Sequence, residues 1–310
     1  MRQDQLEMLK GLWDREGVPY ECGTPLARYT TFRIGGPAAL FARPADARQL
    51  EAALTACKKS DVRYYLLGQG SNTLCADEGF DGAVICTRML GGVPRIEGER
   101  MTAPAGAGLA ALCAMARDAG LTGLEFAHGI PGTVGGGVFM NAGAYDGEMA
   151  QVIDWVDCLD ETGAAHRLGK DELKLGYRTS VFSQLPWSIV GAHLTLTTGD
   201  ETAIREKMAD LAQRRRSKQP LEYPSAGSTF KRPVGHFAGG LIEQCGLKGT
   251  KVGGAQVSEK HAGFVINAGG ATCRDILALI RLVRATVLEQ TGVTLEPEVR
   301  LLGCALDEES

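Results

Sequence analysis

One stretch constrains this chain more than any other. It runs from Gly129 to Gly147, GIPGTVGGGVFMNAGAYDG, and seven of its nineteen residues are glycine, against 41 in all 310. Each interior glycine costs a helix about 1 kcal/mol relative to alanine, so the stretch does not read as a well-made helix. Nor does it read as a flexible linker, because Ile130, Val134, Val138, Phe139 and Met140 are apolar and the Ser/Gln/Glu filler of linkers is missing. The composition predicts backbone that turns sharply and comes close to something. Without a Cβ in the way, main-chain N–H groups can reach a phosphate or an aromatic ring. A tightly packed turn with no ligand is the plainer alternative.

The whole chain narrows the class. A length of 310 residues exceeds one ordinary core and predicts two or three domains. Hydrophobic residues at 44% and charged residues at 23% are the proportions of a soluble globular protein, and a net charge of −4 argues against a nucleic-acid binder. Nine cysteines (22, 57, 75, 86, 113, 158, 245, 273, 304) are scattered singly without a CxxC pair, the pattern of reduced thiols rather than of a disulfide framework or zinc site. The opening MRQDQLEMLKGLWDREG is charged throughout and lacks the apolar core of a secretory leader. No apolar run approaches the roughly 20 residues that span a bilayer. The expected location is the cytoplasm.

Taken in order, Gln5 to Arg15 predicts an amphipathic helix through Leu6, Leu9 and Leu12 or Trp13. Thr30 to Pro37 predicts a strand ending in a Gly-Gly-Pro turn. Asp46 predicts the cap of a helix with Leu50, Ala53, Leu54 and Cys57 inward. A buried strand, Arg63–Leu67, then runs into Gly68-Gln69-Gly70-Ser71-Asn72, a turn whose N–H groups, hydroxyl and amide could nest a diphosphate. Gly106 to Ala111 satisfies GxGxxA, but the preceding Arg100–Pro104 is short and broken by proline. The better reading there is a strand-to-helix turn, opening a helix from Leu109 to Ala119, that packs beside the central glycine segment. Val152 to Leu168 predicts a hairpin turning at Glu161-Thr162-Gly163. Ser188 to Thr198 alternates as a strand, with Ile189, Gly191, His193 and Thr195 on one face. A helix from Glu201 carries Ile204, Met208 and Leu211 inward and ends in Arg214, Arg215, Arg216 and Lys218, read mainly as a solvated complement to the helix dipole, with one or two of them facing the diphosphate if the substrate is a nucleotide. A last helix runs from Thr272 to Gly292 with Ile276, Leu279, Ile280, Val283 and Val287 on one face.

Spacing alone finds no catalytic triad, HExxH, P-loop or metal cluster. The five histidines (128, 166, 193, 236, 261) have no ligand spacing, and no metal is expected. His261, in SEKHAGF, stands out as a candidate substrate contact.

Seven segments, spread over roughly Thr30 to Gly303, bring a resemblance. TTFRIGGPA, GQGSNTL, GIPGTVGGGVFMNAGAYDG, YRTSVF, SAGSTFKRP, SEKHAGFVIN and LEPEVR occur in the order found in the UDP-N-acetylenolpyruvoylglucosamine reductases (MurB), bacterial enzymes of peptidoglycan precursor synthesis, and each is similar to a family segment. At position 69 this chain has glutamine where the family more often has glycine. Arg178 and Ser228 are 50 residues apart, too close for the inserted tyrosine-bearing lobe of some members, so the chain resembles the shorter subtype.

The resemblance implies an α+β protein with a two-lobed FAD-binding fold of the vanillyl-alcohol-oxidase (PCMH) type plus a C-terminal α+β substrate domain. Lobe 1 would be 1–89 with the tail 299–310, lobe 2 would be 90–202, and the substrate domain 203–298. It implies non-covalently bound FAD, and NADPH and a sugar nucleotide as the small-molecule partners, with no nucleic acid and no membrane. The cofactor contacts would be Arg33, Ile34, Gly35, Gly36, Gly68, Gln69, Gly70, Ser71, Asn72, Gly129, Ile130, Pro131, Gly132, Thr133, Gly135, Gly136, Asn141, Gly143 and Ala144.

By the same resemblance the reaction reduces UDP-N-acetylglucosamine enolpyruvate to UDP-N-acetylmuramate, with hydride from flavin N5 to C3 and a proton from Ser228 to C2. Arg178, Ser228 and Glu298 match the family's catalytic residues, Glu298 rather than Glu296 because it stands directly before Val-Arg. Arg178 offers a permanently charged planar fork for the developing enolate, and Glu298 would hold the same region. Ser228 can give its proton to an enolate, a strong enough base. Tyr177, Lys231 and His261 are candidate substrate contacts. Another FAD-dependent oxidase or dehydrogenase of the same fold, or a flavin-binding protein without catalysis, remain the alternatives.

Overall fold

The computed structural model describes residues 1–306; positions 307–310, the end of the tail expected to join the first lobe, lie outside them. The chain forms two compact units. One comprises Met1–Cys22, Leu40–Gln69 and Gly82–Arg215, and the other Gly23–Ala39, Gly70–Asp81 and the segment from Arg216 onward.

In the first unit the apolar spacings make the helices that they predict. The helix Gln3–Glu16 buries Leu9 and Trp13 and stops at Gly17, whose φ of 65° is the left-handed cap that glycine adopts freely. Asp46 caps the helix Ala47–Lys59 by accepting from the Gln49 N–H at 2.8 Å, and Leu50, Ala53, Leu54 and Cys57 face inward. The strand Tyr64–Leu67 pairs in parallel with Ala83–Cys86. A five-stranded antiparallel sheet runs in the order Ala165–Gly169, Ile153–Leu159, Ser188–Thr195, Arg100–Pro104, Arg95–Glu97. The hairpin turns where expected, with Asp160 Oδ1 accepting from the Thr162 and Ala164 N–H groups at 2.7 and 3.0 Å. Because Arg100–Pro104 is antiparallel to its neighbour and leads into the helix Leu109–Asp118, the GxGxxA run sits outside any parallel βαβ unit.

In the second unit the helix Cys273–Thr291 is closed by a capping box. Thr272 Oγ1 accepts from the Asp275 N–H at 3.1 Å, and Asp275 returns the bond to the Thr272 N–H at 3.0 Å. Its stripe Ile276, Leu279, Ile280, Val283 and Val287 is buried, and it ends at Gly292 with φ 69°. The helix packs on a three-stranded antiparallel sheet of Lys251–Val252, Ala255–Val257 and Val265–Asn267. Thr73–Cys75 and Arg300–Leu302 form a separate parallel pair.

Three local expectations fail, each for a packing reason. Thr30 to Pro37 is no strand; the strand begins only at Pro37 and runs Pro37–Ala42. Arg33 (φ 57°) and Gly35 (φ 136°) leave the extended region so that Phe32 and Ile34 are both buried, and a Cβ on Gly35 would stand 2.6 Å from the Cys75 Cβ. The glycine segment does contain a short helix, Val134–Phe139, which the cost of its glycines argued against. In the strand Ser188–Thr195 a register shift opposite Asp157 and Cys158 brings Ile189 into the core with Ala192 and Leu194, breaking the strict alternation with Gly191 and His193.

Among the described residues, no helix is long and apolar enough to cross a membrane. Ile280 is fully buried on the long helix. Ile280→Ala should lower unfolding free energy by about 2–5 kcal/mol in a urea titration, through the cavity it leaves.

Candidate functional site

In the first unit the glycine segment is stitched to the 105–109 turn by backbone bonds. Leu109 N–H donates to the Gly132 carbonyl (3.0 Å), Val134 N–H to Ala107 (2.8 Å) and Gly135 N–H to Ala105 (2.9 Å). The expected packing of that turn beside the segment is thus what forms. Two glycines exist for this contact, since a Cβ on Gly135 would lie 3.1 Å from the Ala105 Cβ and one on Gly137 3.3 Å from the Leu109 methyls. Thr133 caps the short helix, its Oγ1 accepting from the Gly136 N–H at 3.3 Å.

Other backbone groups in the same place have no such use. The N–H groups of Gly132 and Thr133 make no hydrogen bond among the described residues, although Thr133 is only 1% exposed. Gly68 faces Thr133: a Cβ there would stand 2.8 Å from Thr133 Oγ1. The Gly68 and Gln69 N–H groups are likewise without a partner among the described residues. Main-chain donors at two adjoining turns, one of them buried, have the chemistry of a cradle for a phosphate or diphosphate.

The same segment holds the turn that carries Arg178. Asn141 is fully buried at φ 42°, its amide donating to the Gly176 carbonyl at 3.0 Å and its Oδ1 accepting from the Ala150 N–H at 2.9 Å. Both ends of that side chain therefore hold backbone. Gly176 and Thr179 exchange two main-chain bonds (3.1 and 3.2 Å), making a turn tight enough to set Arg178 at φ 55°. Arg178 is half-buried, donates from Nη2 to the Gly143 carbonyl at 3.0 Å and stacks its guanidinium 5.2 Å from the Tyr177 ring centre. Gly143 and Ala144 form a small hairpin with Gly147 and Glu148; Ile130 and Pro131 lie on the loop before the short helix, and Gly136 is exposed on it.

Arg215 is the residue that the sequence reading missed. It was grouped with a solvated basic helix end, yet it is half-buried, with Nη1 2.6 Å from where a Cβ of Gly129 would stand. Burial pushes its pKa down and charge on Tyr145 opposes that shift. The signal was available: Ile204, Met208, Leu211 and Arg215 follow a 4-3-4 spacing that puts all four on the inward stripe of the helix Glu201–Lys218.

In the second unit, main-chain pairing brings the remaining candidates together. Thr229 N–H donates to the Gly263 carbonyl (2.8 Å), Glu298 N–H to Thr229 (2.8 Å) and Lys231 N–H to Glu296 (2.8 Å), so the 228–231 segment lies between 263–265 and 296–298. Ser228, just after Gly227 at φ 75°, is exposed, and Glu298 is half-buried. The Ser228 Oγ and the His261 Cε1 lie 3.5 and 3.1 Å from the point where a Cβ on Gly263 would be, so glycine leaves room for both. His261 Nδ1 accepts from the Gly263 N–H at 3.1 Å, which leaves Nε2 to carry the proton of the neutral ring, and its ring meets Phe264 edge-on at 5.0 Å. Burial holds the His261 pKa below its ordinary value. Lys231 Nζ pairs with Glu296 at 2.5 Å.

The Gly70–Asn72 turn joins this network. Asn72 Nδ2 donates to the Glu298 carbonyl at 3.1 Å and the Arg300 N–H returns to the Asn72 carbonyl at 3.0 Å. Gly70 (φ 67°) accepts from the Thr31 N–H at 3.1 Å, and a Cβ on it would collide with the Tyr29 carbonyl. Arg33 is exposed and Ser71 half-buried beside the bent segment of Ile34, Gly35 and Gly36.

Comparison with known proteins places these clusters in context. Residues 38–169 match the family model of an FAD binding domain, and residues 219–302 that of the UDP-N-acetylenolpyruvoylglucosamine reductase C-terminal domain. The chain is 49% identical to the UDP-N-acetylenolpyruvoylglucosamine reductase of Clostridium perfringens (strain SM101 / Type A) over 297 residues, 96% of this chain and 97% of that protein. It is 48% identical to the protein of the same name from Clostridium botulinum (strain Hall) over 279 residues, 90% and 91% of the two chains. Among solved structures it is similar to the UDP-N-acetylenolpyruvylglucosamine reductase (MurB) of Thermus caldophilus, with a TM-score of 0.78 and 35% identity over 92% of this chain and 98% of that one.

Two consequences can be measured. Asn141→Ala removes a buried donor and acceptor and should cost about 2–4 kcal/mol by chemical denaturation, because the Gly176 carbonyl and Ala150 N–H lose their partners. For His261, the neutral form prevails in folded and unfolded chains above its ordinary value of 6.5, so its full contribution is present there. Below that value the unfolded chain binds the proton first, and stability is lost as pH falls toward the depressed folded pKa. In urea midpoints measured across that range, His261→Gln should flatten the acid-side decline.

Proposed function

The chain belongs to the UDP-N-acetylenolpyruvoylglucosamine reductase family, and from that membership we infer that it reduces UDP-N-acetylglucosamine enolpyruvate to UDP-N-acetylmuramate with NADPH and bound FAD. It is a flavoprotein oxidoreductase of peptidoglycan precursor synthesis, built as an α+β FAD-binding fold of the vanillyl-alcohol-oxidase type with a C-terminal reductase domain. The observation that carries this reading is the match to reductases of 48–49% identity over nine-tenths or more of the chain.

The residues present fit the flavin. The unpartnered N–H groups of Gly132, Thr133, Gly68 and Gln69, and the room that Gly68 leaves beside Thr133, support a role in holding its diphosphate. Ser71 and the bent Arg33–Gly36 segment are assigned to the same cofactor, as are the loop residues Gly129–Pro131, Gly136, Gly143 and Ala144. Asn141, Asn72 and Gly135 would serve it indirectly, by holding backbone in shape. The chemistry supplied by bound FAD is hydride delivery to C3 of the enolpyruvyl group, with NADPH as the source.

The chain's own groups do the rest. Arg178 stabilises negative charge on the substrate carboxylate as the double bond is reduced, its fork oriented by the Gly143 carbonyl and by the turn that Asn141 holds. Ser228 gives the proton to C2; its exposed hydroxyl on the loop after Gly227 supports this. Glu298, tied through its backbone to Thr229 and Asn72, holds the same reacting region. His261 beside Ser228, Tyr177 under Arg178, and Lys231 are assigned to the substrate. We assign residues 1–202 with the tail 299–310 to flavin binding and residues 203–298 to the sugar nucleotide. The net charge of −4 and the nine scattered cysteines support action in the cytoplasm, without nucleic-acid or membrane partners.

An anaerobic stopped-flow experiment tests the assignment of Ser228. In Ser228→Ala, flavin reduction by NADPH should proceed as in the native protein. Reoxidation by UDP-N-acetylglucosamine enolpyruvate should slow by about 10²–10⁴-fold, the usual worth of a positioned acid. Unchanged reoxidation would remove Ser228 from the proton transfer, and absence of reoxidation in the native protein would remove the substrate.

A further inference from the structure

The second unit holds a thiol cluster that the reaction does not use. Cys273 opens the helix Cys273–Thr291, and Cys304 follows the strand Arg300–Leu302. Their sulfurs are 3.5 Å apart across 31 residues of chain. Cys273 is 2% exposed, whereas Cys304 is half-buried. A third thiol, Cys75, sits on the strand beside Leu302. Among the described residues no group of three His, Cys, Asp or Glu is arranged to hold a metal ion.

We propose that Cys273 and Cys304 form a modification site, a dithiol that hydrogen peroxide oxidises to a disulfide. The thiol of Cys273 donates toward the Cys304 sulfur, Cys304 faces the Leu74 carbonyl at 4.0 Å, and Cys304 is the more exposed of the two thiols. Negative charge on Cys273 is opposed by the Asp77 carboxylate, which accepts from the Cys273 N–H at 2.8 Å. Cys304 is therefore the nucleophile and Cys273 the resolving thiol.

In the first step the Cys304 thiolate attacks peroxide, the O–O bond breaks, hydroxide leaves, and Cys304 becomes a sulfenic acid. In the second, the Cys273 sulfur attacks the Cys304 sulfur, the S–O bond breaks, and the oxygen leaves as water once the thiol proton is counted. The sum is two thiols oxidised by two electrons and one peroxide reduced to two waters. Closing the sulfurs to bonding distance requires a movement of about 1.5 Å, within reach of side-chain rotation. The bond would tie the start of the long helix to the end of the strand that follows Glu298.

The test treats the full-length holoprotein with graded hydrogen peroxide, alkylates the remaining thiols and maps them by mass spectrometry. Cys22, exposed and remote in sequence, serves as the internal gauge of oxidant strength. The expected result is a Cys273–Cys304 cross-linked peptide pair, reversed by dithiothreitol and absent in Cys304→Ser. A rise in thermal midpoint of about 5 °C should accompany it, from the constrained unfolded chain. The proposal is overturned if both cysteines are still alkylated once Cys22 is oxidised. It is equally overturned if Cys304 is recovered as a sulfinic or sulfonic acid, or if the cross-link engages Cys75. Should Cys273→Ser fail to fold, Cys304→Ser and the peptide map still decide the matter.

Discussion

The glycine segment keeps its shape because its backbone is bonded to a neighbour rather than to itself. A helix of six residues with three glycines, Val134–Phe139, is too short and too weak in propensity to stand alone. It forms because three bonds join 132–135 to the 105–109 turn and because Gly135 and Gly137 let the chains approach to within side-chain contact. Once those bonds are made, the N–H groups of Gly132 and Thr133 are left without an acceptor among the described residues, and Thr133 is too deeply placed for water to serve it. These free donors are thus a by-product of how the loop is held.

Asn141 extends the same constraint to Arg178. An L-residue at φ 42° is tolerable when it is asparagine, and full burial of its amide is tolerable when both ends are bonded. Its partners are the turn of Arg178 on one side and the Ala150 N–H on the other. The guanidinium then anchors to the Gly143 carbonyl, two residues from Asn141. In the second unit backbone again does the positioning: the pairings of Thr229 with Glu298 and of Lys231 with Glu296 set the register of the 296–298 segment. The candidate side chains ride on irregular segments, and main-chain bonds to neighbouring segments fix where they sit.

Much of the fold was legible because it rests on local rules. Leu9 and Trp13, the Asp46 cap, the Thr272 cap with its five-residue apolar stripe, and the Asp160–Gly163 turn are each specified within one or two turns of chain. The GxGxxA run was set aside on the proline and shortness before it, and the antiparallel pairing of Arg100–Pro104 agrees. The candidate chemistry was legible through the order of motifs, since single residues such as Ser228 and Glu298 look ordinary by themselves.

The sequence by itself determined the long amphipathic helices, the hairpin and the family, because periodicity, caps and motif order are properties of neighbouring residues. Tertiary structure alone decided that Thr30–Pro37 bends instead of extending, since Phe32 and Ile34 have to be buried together and only Gly35 can lie against Cys75. It decided that three glycines could sit in a helix, because a contact with Ala105 and Leu109 outweighs their propensity. In each case the deciding atom belongs to a segment distant in sequence, and no local pattern carries the identity of a distant neighbour.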